Sequence, residues 1–299
     1  MADESSHAGI EKRLESFYAP EKRPETGGHV GHVLAGSFRH ATLLMLRRQR
    51  LILAAVVALL PVIIPVATAF FAKSEFTEEG AMVMKTLVEL LHIKMLAPLM
   101  ALFFATMLVG EEVEAQTISL VLTRPASRAA WILGRYLAYL VIPGLILTAS
   151  LFLTFTACTT LAGFPLNAAN IQLVLHYSGV CFAALAAYGA LTLWLGAFTR
   201  RPIILGVVLM YGWEKVANVV PGVVDFLTIQ KYADALLPRL AAQRDRADIQ
   251  TVLGDFQREV FIVDASKAIF VILAIIAVFL LATLYTIRNR EYYAARTAA

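Results

Sequence analysis

Charge is what this chain has least of. Asp, Glu, Lys and Arg make up 16% of its 299 residues, against 59% hydrophobic ones. A soluble domain carries about a quarter charged residues, so the composition excludes that class and fits a polytopic membrane protein. A mean hydropathy of +0.70 agrees. Cysteine is nearly absent: Cys158 and Cys181 are the only two, and both fall inside apolar runs, which excludes a disulfide-stapled scaffold. No G-x-x-x-x-G-K-[ST], H-E-x-x-H or G-x-S-x-G motif occurs, nor a carboxylate pair with a supporting histidine. The chain therefore holds no recognisable ATPase or hydrolase chemistry and no cofactor site of its own. Near the start there is no short apolar core followed by a small-residue cleavage site, so no cleavable signal peptide is expected. The net charge of +4 resides in arginines beside apolar runs. That is membrane topology rather than a phosphate-tracking groove, and no nucleic-acid partner is expected.

What is present is a series of apolar runs at 51–71, 90–109, 136–161, 171–198, 203–222 and 268–287. Each reaches the roughly 20 residues a bilayer demands. They predict an all-α polytopic membrane protein of about six spans. Residues 1–32 are polar, with Pro20, Pro24, Gly27 and Gly28, and read as a mobile cytoplasmic tail ahead of one transmembrane domain over 33–299. His29 and His32 have metal-compatible spacing but no Cys or acid neighbours, and read as plain loop. Leu34, Phe38, Ala41 and Met45 form an apolar stripe before Arg47, Arg48 and Arg50, the pattern of an interfacial elbow helix. Pro61 and Pro65 should bend the first span. If the spans alternate, Arg47, Arg48, Arg50, Arg124, Arg128, Arg135, Arg200, Arg201, Arg288 and Arg290 all share one side. That side is then cytoplasmic, with both termini inside. Within 225–264, Phe226, Ile229, Ala233, Leu236, Leu237 and Leu240, and then Ile249, Val252, Leu253, Phe256, Val260 and Val263, sit at helical spacing. They predict an outer hairpin of two amphipathic helices.

The polar break at 110–135 interrupts this pattern with acids, arginines and a proline. Read as a helix from Glu111 to Thr123, it puts Glu112, Gln116, Ser119 and Thr123 on one stripe of an otherwise apolar surface. Glu111, Glu112 and Glu114 then occupy a first turn, where carboxylates complement the positive helix end. Pro125 follows Arg124 and stops the helix, and Ser127 is the N-cap candidate for the next. Two readings stand on geometry: a capped cytoplasmic loop, or a coupling element pushed by a soluble motor.

The run Gly110-Glu111-Glu112-Val113-Glu114, then Thr117, Leu122-Thr123-Arg124-Pro125, Arg128 and Leu133-Gly134 resembles the segment after the second span of type-2 ABC exporter permeases. Those are the membrane subunits of prokaryotic ATP-driven exporters. Gln116 departs from the pattern, since a glycine often precedes the threonine there. The resemblance implies a permease in the prokaryotic cytoplasmic (inner) membrane, working with a second copy or a sister permease. It also implies two cytoplasmic ABC ATPase subunits, which use the ATP and Mg and dock at 110–128. Glu111, Glu112, Glu114, Thr117, Arg124, Pro125 and Arg128 are the implied coupling residues. Glu112→Lys is then expected to abolish ATP-stimulated transport while leaving membrane insertion intact. A non-transporting subunit that transmits motion or anchors a partner is an alternative. So is a secondary transporter, although that class calls for inverted repeats and midplane ion ligands.

In the fifth run, Tyr211, Glu214 and Asn218 share one helix face. A carboxylate in a span is expensive and usually faces the interior or water with a partner. The patch either lines a substrate path or is a structural pair at the outer interface. Met82, Met84, His92 and Met95 offer soft-metal ligands by type, a combination also common at interfaces by chance.

Overall fold

The computed structural model describes residues 26–71, 80–114, 127–161, 164–199, 201–219, 224–238, 246–251, 254–259 and 263–289. In chain order the helices are α1 (Thr26–Met45), α2 (Arg48–Phe71), α3 (Gly80–Leu87), α4 (Ala97–Glu114), α5 (Arg128–Leu161), α6 (Ala168–Phe198), α7 (Pro202–Val207), α8 (Glu214–Val219), α9 (Ile229–Ala235) and α10 (Ala265–Asn289). Two π-helical segments, π1 (Val88–Leu96) and π2 (Val208–Trp213), join α3 to α4 and α7 to α8 without a break. Among the described residues five helices are long and apolar enough to cross a membrane: Arg48–Ala67, Val83–Val113, Arg128–Leu161, Ala168–Phe198 and Ala265–Asn289.

Local chemistry sets several boundaries. Asn167 caps α6, its side-chain carbonyl accepting the Asn170 N–H at 2.8 Å. Pro202 opens α7 at a position where its missing N–H costs nothing. Pro98, one residue into α4, cannot donate to the Lys94 carbonyl. The turn before it relaxes to π winding, with the Ala97 N–H on His92 O.

The bundle is built around α4 and α6, which pack on each other. α5 supports α1 and α2, and α10 lies on α6. No hydrophobic force drives helices together in lipid, so small residues at the contact let backbones approach. A Cβ on Gly196 of α6 would stand 2.8 Å from the Thr106 carbonyl of α4, and one on Gly134 of α5 would stand 2.5 Å from the Leu34 carbonyl of α1. Leu59 and Ile63 of α2, and Leu273 and Val278 of α10, are exposed, the faces lipid would cover.

The path 202–219 lies alongside the second span. Pro202 sits against Gly110, at one end of α4. Beyond the path, α9 brings Asp234 to Lys94, near the opposite end of the same span.

Several sequence expectations change. Against the expected tail at 1–32, α1 begins at Thr26, so His29 and His32 lie on a helix; residues 1–25 are outside the described part. The helix runs through Gly27 and Gly28, glycines that read as loop in the sequence. The helical outer hairpin is half right. α9 is a helix, but Arg246–Thr251 and Gly254–Glu259 are antiparallel strands (β1 and β2), with Ile249 opposite Phe256. Ile249 and Phe256 stand seven apart, which fits a helix's period, yet the same two side chains also oppose each other when the chain doubles back as a hairpin. Against the six expected runs, five helices qualify among the described residues, and the run at 203–222 falls on the path 202–219, which is not one of them.

Candidate functional site

The second span carries charge at both ends, and both ends are tied to neighbouring helices. At one end α4 continues without interruption through Glu114. Glu111 and Glu112 therefore do not open a new helix, as the sequence predicted; they prolong a helical path that starts at Gly80. Gly110 and three acids in five residues imitate a start signal. What holds these carboxylates is a pair of arginines. Glu111 accepts from Arg50 at the head of α2, whose other guanidinium nitrogen donates to Leu44 O at 3.1 Å. Glu112 accepts from Arg135 of α5. The Arg135 side chain is 2% exposed and the Glu112 side chain 14%. Arg135 also donates to Leu108 O and lies over the Trp131 ring, 4.3 Å from its centroid. Ser37 of α1 donates to Trp131 O at 2.7 Å. One clamp thus joins α1, α2, α4 and α5 where the polar stretch begins.

Of the sequence-predicted coupling residues, the structure brings Glu111 and Glu112 into this clamp and leaves Arg128 exposed at the start of α5. Ser127, expected as its N-cap, accepts the Ala130 N–H at 3.4 Å. The Glu114 side chain and residues Thr117, Arg124 and Pro125 lie outside the described part. Glu112→Lys would set an ammonium beside a buried guanidinium, so the substitution acts on the fold as well as on docking.

The opposite end is a second polar cluster. Glu89 and Lys94 of π1 form an ion pair at 2.5 Å. Their spacing of five residues would diverge on an α-helix, and the wider π turn brings them together. Lys94 reaches Asp234 of α9 at 3.6 Å. Burial pushes the Asp234 carboxyl up to about 7, with Lys94 opposing and Glu89 adding to the rise. Nearby, Glu214 is buried at the start of α8. Its carboxylate accepts from Tyr188 Oη at 2.6 Å and from the Ile229 N–H, the first residue of α9, at 3.0 Å. Tyr211 of π2 donates to Met95 O of π1 at 2.8 Å. The two π segments therefore touch, and π bulges are frequent at functional sites. The sequence grouped Tyr211 with Glu214 and Asn218. In the structure Tyr211 bonds across to the second span and Glu214 to α6 and α9, and the Asn218 side chain is not among the described ones.

Sequence reading missed Lys94, Asp234 and Tyr188. The fivefold spacing of Glu89 and Lys94 was the available signal, and it has meaning only once π winding is known. Of the soft-metal residues, Met84 and His92 are fully buried, Met95 is exposed, and the Met82 side chain lies outside the described part. His92 instead meets Ser150 at 3.3 Å, and Ser150 donates to Ala58 O, three residues before Pro61, at 2.5 Å.

These contacts join the spans to one another at two levels. Comparison with the curated proteins finds no match. A comparison with protein families matches residues 42–291 to one described as ABC-2 family transporter protein. That span takes in both charged ends of the bundle, so the chain belongs to the ABC-2 transporter family and is a multi-pass membrane protein of the ABC-2 permease type.

Proposed function

We propose that this chain is the transmembrane permease subunit of an ATP-driven exporter, moved by separate ABC ATPase subunits that dock at 110–128. The observation that carries this reading is the clamp at the end of the second span. The last turns of α4, from which the stretch between Glu114 and Arg128 departs, are fastened through Glu111–Arg50 and Glu112–Arg135 to α2 and α5 at once. A push on that stretch reaches the whole bundle rather than one helix. The chain would form half of the path, with a second copy or a sister permease as the other half. Two ATPase subunits would sit below and handle the ATP and Mg, and this chain would bind no cofactor.

The path 202–219 serves as the sixth crossing. With it, Arg47, Arg48, Arg128, Arg201 and Arg288 share the cytoplasmic side of the prokaryotic inner membrane, and both termini face the cytosol; without it Arg288 would lie outside, against the positive-inside rule. α1 then acts as the elbow helix. At the outer end Tyr211, Glu214 and Asn218 border the path, with Glu214 anchoring α9 as its cover. The test is reconstitution of the chain with an ABC ATPase in vesicles. ATP-dependent flux together with co-purification of the two proteins supports the reading. Co-purification without flux of any candidate substrate leaves a subunit that transmits motion, and failure to co-purify removes the ATPase from the account.

A further inference from the structure

An apolar groove of about 150 Å³ opens between α2 and α4. Leu53, Ala54 and Val57 line it from α2 and Met100, Phe103 and Met107 from α4, and Arg50 closes one end beside the Glu111 clamp. On α2 the lining positions 50, 53, 54 and 57 make one helical stripe. The groove therefore runs about 10 Å from the arginine into the apolar zone, about a third of a bilayer's hydrocarbon thickness. A groove of this kind, open to the side of a membrane helix, takes hydrocarbon rather than water, because beyond Gln49 and Arg50 at one end its wall is apolar.

The charge at its mouth selects the head that comes with that hydrocarbon. Arg50 is already engaged by Glu111 and Leu44 O. Arg47 and Arg48, directly before it, are exposed and have no ion-pair partner among the described residues. We infer that the α2–α4 groove is a binding site for an anionic phospholipid of the surrounding leaflet, one acyl chain lying in the groove and the phosphate on Arg47 and Arg48. The inference rests on the chain being a membrane protein and not on transport or on any ATPase. The occupant is a lipid rather than a second copy because exposed Arg47 and Arg48 stand at the head of α2 without an ion-pair partner among the described residues, and the lining is apolar apart from Gln49 and Arg50 at that same end.

The full chain in nanodiscs of equimolar phosphatidylglycerol and phosphatidylcholine, released into detergent and weighed by native mass spectrometry, tests this. The expected result is one phosphatidylglycerol retained per chain, favoured over phosphatidylcholine by roughly 30-fold, the preference two arginines supply at a membrane surface. Leu53→Trp, at a half-exposed lining position that can change without unfolding the bundle, should lose the lipid. Arg47→Gln with Arg48→Gln should retain a lipid without headgroup preference. Equal retention of both lipids by the native chain, unchanged retention in Leu53→Trp, or unchanged preference in the arginine variant would overturn the assignment. So would disulfide cross-linking of Leu53→Cys between copies with no lipid retained, which would make the groove a subunit interface.

Discussion

Removing one partner of the Arg135–Glu112 pair should cost far more than removing both. The Arg135 side chain is 2% exposed and is held by Glu112, by Leu108 O and by the face of Trp131. Glu112→Leu leaves that guanidinium buried without a counter-charge, a change that costs about 3–5 kcal/mol. Arg135→Met leaves a carboxylate that is 14% exposed. It should cost about 2–4 kcal/mol, combining the lost charged hydrogen bonds with a cation–π contact of about 2 kcal/mol. In the double variant neither charge remains, and Leu108 O keeps its place in the helix ladder. Replacing a buried pair by apolar side chains is often neutral, so the double variant should recover at least about 2 kcal/mol of the summed losses. Steric-trap unfolding in bicelles measures all three variants on one scale. Single losses that add to within about 0.5 kcal/mol, the behaviour of independent sites, would refute the pair as the clamp at this end of the bundle.

Two further outcomes follow from particular contacts. Gly196→Ala should destabilise by about 1–3 kcal/mol, because its Cβ meets the Thr106 carbonyl. Gly179→Ala, on the same helix with nothing within 4 Å, should stabilise by about 0.5–1 kcal/mol; equal effects in a thermal-shift measurement would contradict the α4–α6 contact. The Asp234 carboxyl, held at about 7 against an ordinary 3.8, keeps a proton that the unfolded chain gives up. Its contribution to stability is therefore present below pH 3.8 and lost as pH rises toward 7. Asp234→Asn should flatten the fall in melting temperature over that window, and an unchanged slope would place the titration elsewhere.

The long helices were legible because a bilayer demands about 20 apolar residues and little else in a sequence produces such a run. The expected runs at 136–161 and 171–198 differ from α5 and α6 mainly at their first turns. Pairings were not legible. Arg50 and Glu111 are 61 residues apart, and nothing in either segment names the other. The start assigned at Glu111 failed because Gly110 and the acids carry start-like chemistry while the apolar pattern before them continues the helix. π1 was invisible until Pro98 was seen to remove a donor, and with it went the Glu89–Lys94–Asp234 cluster. The β1–β2 hairpin reads as helix in the sequence because Ile249 and Phe256, seven residues apart, suit a helix face as well as a cross-strand pair.

The central claim is that the stretch between Glu114 and Arg128 faces the cytosol and receives work from a separate ATPase. Arg128 is exposed, and Cys158 and Cys181 are buried, so Arg128→Cys gives a single reactive position against quiet native thiols. A membrane-impermeant maleimide should label it in inside-out vesicles and not in right-side-out ones, and a bound ABC ATPase should block the labelling. Labelling in right-side-out vesicles, or labelling unaffected by an ATPase that does bind, would contradict the claim.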